Sequence, residues 1–465
     1  LLTYPMLYTD TRGQACAEAV SESIGIDTVF RLTGTVPHPN GGRSNSAAAF
    51  FALGTDSLRM ATEFCATNGL ERFVSVRIND QHDAASKPGK LSALYPQFKL
   101  EHPECLMGAI ERTSARRNEL YSGYAGWSCV DFSCTLVRDR MRQFVRELVE
   151  NYDVDGIEYD FNRHFMLFRS VATGGVASEE EVAEMTRLMR DLKAITEAAG
   201  RRKSRPIVVF IRTPDGLDYA RAVGADLETW FREKLVDAWI GGGYFRLNPW
   251  PESIAVARQY GIRFFASLDE SRIPNQTDRL IPGRMTDEFY AARVSAAQTA
   301  GCDGVYLFNA EGSSLQRYAN LVLPEVLATT EKVYFACEVG SGGYTPNHWL
   351  NDGDRFDNMP RIDPGFARTL EPGRPYAFEL MIAEDVAAAT AKGRTPTVRV
   401  LALSGKGESV AVTFNGHELP AAGTEEGASS FAVDPGWLRN GLNAFSVVPA
   451  ARSTLHDFVV KVDYR

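Results

Sequence analysis

The chain has 465 residues, a formal net charge of -9 and 44% hydrophobic residues. That balance is enough for a large core and a second, smaller domain. The acidic charge, without a run of five like charges, argues against a nucleic-acid partner, and no apolar stretch reaches the roughly 18–20 residues of a membrane span.

Short β-branched runs alternate with helical patterns through the first two thirds of the sequence. The runs at residues 4–8, 28–32, 73–78, 156–161, 207–211, 238–242, 263–268 and 304–309 read as strands. Amphipathic spacing predicts helices over 138–150, 179–199 and 285–300. Eight strands in βα alternation predict a closed (β/α)8 TIM barrel over residues 1–335. An open doubly wound sheet would carry a glycine-rich turn after its first strand, and Thr9-Asp10-Thr11-Arg12 is not one. The segments 34–49 and 80–131 are long and follow strands, on the side where barrel sites form. The second holds Tyr121, Tyr124 and Trp127, rings able to stack on a sugar or to pin the loop.

After roughly residue 335 the pattern changes to Gly, Asp, Asn and Pro, then to alternating runs at 376–382, 397–403, 409–414, 430–433, 443–448 and 457–462. These predict an all-β sandwich over 336–465. Seven scattered cysteines without a CxxC read as buried free thiols and point to a reducing compartment. A periplasmic or secreted location follows instead if a leader was removed before Leu1.

The chemistry concentrates at the end of the fourth predicted strand. Side chains alternate along a strand, so Glu158 and Asp160 share one face while Ile157 and Tyr159 take the other. Paired carboxylates inside a barrel are costly unless bonded, paired or used; the bland alternative is an ion pair with Arg77 or Arg212. Asp269 and Glu270 follow the seventh predicted strand, across a barrel mouth from the fourth. Glycoside hydrolysis generally uses two carboxyl groups flanking the scissile bond, which makes Asp160, Glu158, Glu270 and Asp269 the candidate catalytic set. Polar residues recur at the same strand ends and are candidate substrate contacts: Arg77, Asp80, His82, Asp83, Trp127, Arg163, His164, Arg212, Tyr244 and Asn309. The arginines fit an anionic sugar, since guanidinium binds carboxylate and sulfate-like groups through paired donors. No cofactor is expected; Asp80, His82 and Asp83 define a rival metal-dependent hydrolase or lyase, and a non-catalytic sugar-binding barrel is a further rival.

The block "YDVDGIEYDFNRH" at 152–164, with "VRDRMRQFVRELVE" before it and the earlier "RINDQHDA", resembles the family-10-like glycosyl hydrolase barrels of bacterial polysaccharide degraders over roughly residues 70–310. The resemblance implies a barrel glycosidase with acids at the ends of strands 4 and 7. The spacing from Asp155 to His164 also resembles the α-amylase strand-4 motif, which would make Asp160 a nucleophile and His164 a subsite residue. Glu158 and Arg212 depart from that pattern, and Asn162 stands where a chitinase-like motif has its acid. "VTFNGHEL" and "WLRNGLNAFSVV" resemble the jelly-roll sugar-binding modules attached to glycoside hydrolases.

Overall fold

A computed structural model describes residues 2–3, 54–85, 96–109, 126–162, 164–268, 281–284, 286–308, 321–337, 345–360, 362, 367–405 and 408–464. They form a mixed α/β protein with parallel and antiparallel sheets. The expected strands at 4–8 and 28–32 lie outside the described residues. The chain divides into two compact units, Leu1–Ile240 with Tyr260–Ile262 and Pro346–Phe356, and Gly241–Gln259 with Arg263–Thr345 and Asp357–Arg465.

In the first unit β1 (Leu2–Thr3), β2 (Phe73–Arg77), β3 (Gly156–Asp160) and β4 (Val208–Thr213) pair in parallel and in chain order. β5 (Ala238–Gly242) follows β4 in the sheet. All of β3 is buried, as expected of a parallel strand covered on both faces. Helix α1 (Ser57–Thr67) starts at Asp56, whose carboxylate accepts from the Arg59 N–H and also from the Tyr152 hydroxyl. Helices α2 (Thr135–Asn151) and α3 (Glu179–Lys203) pack on one another, and α3 packs on β4. α3 opens with a capping box between Ser178 and Glu181, three glutamates in its first turn and three cationic residues in its last. Both ends thus complement the helix dipole, which explains how so polar a sequence runs 25 residues. Short helices α4 (Leu217–Val223) and α5 (Leu227–Arg232) lead to β5. At the N-terminal strand ends, Arg72 and Arg205 each bind both Asp153 and Asp155, tying the entries of β2, β3 and β4 together.

One sequence expectation about this unit is overturned. Cys105 and Cys134 form a disulfide, with Cα atoms 5.5 Å apart, so they are not free thiols. Neighbouring bonds fix the partners close together: Asp131 N–H donates to Cys105 O at 2.8 Å and Met107 N–H to Cys129 O at 2.9 Å. Connectivity between cysteines 29 positions apart is a tertiary property that spacing does not reveal.

In the second unit, α6 (Trp250–Gln259) precedes β6 (Arg263–Leu268), and β6 pairs in parallel with β7 (Gly304–Leu307). Between them runs α7 (Asp287–Ala300), capped by Thr286 and buried almost all round. After α8 (Pro324–Leu327), β8 (Lys332–Phe335) turns away from the parallel pattern. It pairs antiparallel with β17 (Ser453–Asp463) in the sheet β14-β15-β11-β17-β8, and β9 (Arg368–Leu370) also pairs with β17. A second sheet has the order β10-β16-β12-β13. The strands are β10 (Tyr376–Ile382), β11 (Thr397–Ser404), β12 (Val410–Phe414), β13 (His417–Glu418), β14 (Ala421–Glu425), β15 (Ala428–Val433) and β16 (Gly441–Pro449). Their inward residues make one core, centred on Phe378, Phe445 and Phe458 with ring centroids 5.0–5.5 Å apart. The region is not all-β as expected. Helix α9 (Val386–Ala391) follows β10, because Asp385 caps an alanine-rich segment by accepting from the Ala388 N–H. Beneath the sheet, Arg284 holds Asp457 through two bonds of 2.7 Å, both side chains buried.

Candidate functional site

The register of β2, β3 and β4 builds the candidate site in layers. Residues in register on adjacent parallel strands share a face. Phe73, Gly156 and Val208 form one row, Ser75, Glu158 and Phe210 the next, and Arg77, Asp160 and Arg212 the last. The floor is aromatic: a Cβ at Gly156 would lie 2.2 Å from Cε1 of Phe73, whose ring centroid is 4.9 Å from that of Phe210. Above it stand Glu158, at the middle of β3, and Asp160, its last residue, both buried. The opposite face carries Val74, Val76, Ile157, Tyr159, Val209 and Ile211, all buried. Burial there raises the Tyr159 phenol far above its usual range.

Asp160 thus lies in a row between two guanidinium groups. Arg212 Nη1 donates to Asp160 Oδ1 at 3.1 Å, and the Asn162 N–H donates to the same oxygen at 3.0 Å. Neither Asp160 nor Arg212 exposes more than 2% of its side chain, so the pair has lost its hydration and is held by bonds within the protein. Arg77 Nη1 donates to Asp80 Oδ2 at 2.6 Å. Lys99 Nζ donates to Asp83 Oδ2 at 2.8 Å and to the Asp80 carbonyl at 3.3 Å. Burial raises the Asp83 carboxyl above its ordinary value, with Lys99 opposing the shift. The two acids of the metal-dependent rival therefore already hold cations. Among the described residues no group of three or more His, Cys, Asp or Glu is arranged to hold a metal ion.

The other proposed contacts fall in different places. Trp127 is buried, and a Cβ placed at Gly108 would lie 2.6 Å from the Trp127 Cβ, which marks a tight loop crossing. His164 is buried with its ring edge-on to Trp349 at 5.8 Å. His82 opens the turn His82–Ala85. Tyr244 belongs to the second unit, buried against Phe308. Arg163, Asp269, Glu270 and Asn309 lie outside the described residues.

Two residues that sequence reasoning passed over organise the strand ends. Asn79 donates to the carbonyls of Val130 and Met166 at 2.8 and 2.6 Å and accepts from the Val130 N–H at 3.0 Å. It clips the loop after β2 to two other loops. Lys99, noted above, closes the same loop from the far side. The available signal was parity: Asn79 stands two positions beyond Arg77, in step with the inward row.

No family model matches the chain, and no curated protein matches it. Solved structures similar to it include the glycoside hydrolase family 36 alpha-galactosidase AgaB from Geobacillus stearothermophilus, at 12% identity and a TM-score of 0.35, covering 96% of this chain and 55% of that one. A glycoside hydrolase family 18 N-acetylglucosaminidase from Paenibacillus barengoltzii is similar at 13% identity and a TM-score of 0.29, covering 58% and 66%. A family 86 beta-porphyranase from Bacteroides plebeius matches at 14% identity and a TM-score of 0.17, covering 22% and 19%. In each case less than two thirds of the solved chain is spanned.

Proposed function

We propose that the chain is a glycoside hydrolase cleaving a glycosidic bond in a polysaccharide or oligosaccharide, on a closed (β/α)8 barrel whose sandwich binds sugar or buttresses the barrel. The observation that carries this reading is the face of β3 shared by Glu158 and Asp160, with Asp160 at the C-terminal end of the strand, the end where barrel enzymes place their chemistry. In this reading Asp160 and Glu158 supply one catalytic carboxyl group, and Glu270 or Asp269 supplies the other. The flanking Arg77 and Arg212 favour a uronic or sulfated sugar. Asp80, His82, Asp83, Trp127, Arg163, His164, Tyr244 and Asn309 are the remaining proposed contacts.

A non-catalytic sugar-binding barrel is the second reading, favoured by the Asp160–Arg212 pair, which occupies one oxygen of the central carboxylate. Turnover separates the two. On a panel of neutral and anionic oligosaccharides, Asp160→Asn and Glu270→Gln should each lower turnover by about 100-fold or more, since general acid–base assistance alone contributes about 100- to 10,000-fold. Melting temperature controls for folding. Near wild-type turnover in Asp160→Asn refutes the catalytic assignment. Binding without turnover in the wild type favours the second reading.

A further inference from the structure

In the second unit a cavity of about 170 Å³ lies between α7, the residues after α8, and the segment joining β10 to α9. Its buried lining includes Ser295, Leu327, Ala383, Glu384 and Ala389. Thr299, Ala388, Lys392 and Asn440, also in the lining, are exposed, so the cavity opens to solvent.

The charge inside is already balanced. Lys332 Nζ lies 3.1 Å from Glu384 Oε1, and the hydroxyls of Tyr334 and Tyr464 donate to the carboxylate at 2.8 and 2.6 Å. The other charged lining residues, Asp385 and Lys392, are exposed and opposite in sign, and the rest of the lining is hydroxyl, amide and apolar groups. Ser295, Gln298 and Thr299 are spaced to share one face of α7. The Ser295 hydroxyl is buried and has no hydrogen-bond partner among the described residues, a state that native proteins generally avoid. Leu327, Pro324 and the alanines supply an apolar wall. The volume also limits the occupant. An engineered cavity of about 150 Å³ takes a benzene-sized ring, and drug-sized ligands need roughly 300 Å³ or more.

We propose that this cavity binds a single neutral sugar ring, as a second carbohydrate site made wholly from the second unit. A pyranose matches the lining in kind: its hydroxyls meet Ser, Thr, Gln and Asn, and its C–H face meets alanine, leucine and proline. The sugar as ligand rests on the reading of the chain as carbohydrate-active.

The test uses the full chain carrying Asp160→Asn, with methyl glycosides of glucose, galactose and N-acetylglucosamine as probes and glycerol as control, followed by saturation-transfer NMR. Saturable binding of at least one glycoside is expected. Ala388→Leu, which enlarges an exposed side chain in the lining, should weaken it about tenfold, or by about 1.4 kcal/mol. Asn440→Ala, a surface change, should weaken it in the same direction, and it serves if Ala388→Leu does not fold. Absence of glycoside binding, glycerol binding of equal strength, or affinity unchanged in both variants overturns the proposal. Its failure is distinct from that of the catalytic reading. Binding that responds to Ala388→Leu while the wild-type chain shows no turnover leaves the cavity standing, and wild-type turnover without such binding removes the cavity alone.

Discussion

Replacing Cys105 and Cys134 together by alanine should cost the protein several kilocalories without disturbing the folded loop. The disulfide joins positions 29 apart and so closes a loop of about 30 residues. In the chain-entropy account, such a cross-link stabilises by restricting the unfolded chain, here by about 3.6 kcal/mol at 25 °C. The native loop has independent support from the Cys105–Asp131, Met107–Cys129 and Gly108–Trp127 backbone bonds and from the Asn79 clip. The loss should therefore fall on the unfolded side. Urea unfolding of wild type and double variant, followed by tryptophan fluorescence, should show a lower midpoint and an unchanged or steeper slope. Thiol titration of the denatured, non-reduced wild type should find no more than five reactive groups among its seven cysteines. A difference in unfolding free energy below about 1 kcal/mol, or seven titrating thiols, would refute the reasoning.

Three further outcomes follow from packing and charge. Arg212→Met should destabilise by about 3–5 kcal/mol, because it strands the buried Asp160 carboxylate, and Asp160→Leu/Arg212→Met should cost less than that single change; calorimetry checks both. Gly156→Ala drives a methyl into Phe73 and should cost about 1–3 kcal/mol, partly recovered by adding Phe73→Leu, as read from urea midpoints. Burial raises the Glu384 carboxyl above its ordinary 4.5, against the pull of Lys332 and two tyrosines. The folded state then holds that proton more tightly than the unfolded chain, so the contribution is full below pH 4.5 and is lost as pH rises through the raised value. Glu384→Gln should remove that pH slope from urea midpoints, and an unchanged slope would assign it elsewhere.

The parallel strands were legible because burial on both faces writes itself as a continuous apolar run, as in Val208-Val209-Phe210-Ile211. The antiparallel strands were legible from alternation, as in Val398-Arg399-Val400. The shared face of Glu158 and Asp160 followed from parity alone. What stayed hidden depended on partners distant in sequence. Lys332–Phe335 is four residues long and becomes a strand only because β17 is there to receive it. Asn79 looks like one polar residue among several until Val130 and Met166 arrive beside it. The pairing of Cys105 with Cys134 depends on how two loops cross.

The pairing of β8 with β17 also sets an order of events. Val333 meets Lys461 and Phe335 meets Val459, partners separated by on the order of 120 residues, so this edge of the sheet closes only after the intervening chain has been made and collapsed. Contacts of such long range are expected to slow folding. Until they form, Tyr334 and Phe335, both buried in the finished protein, stand uncovered. During synthesis that interval is when the chain is most open to association with its neighbours. A polypeptide divided just after Phe335 would carry the same exposed edge permanently, while the remainder would lack one border of its sheet.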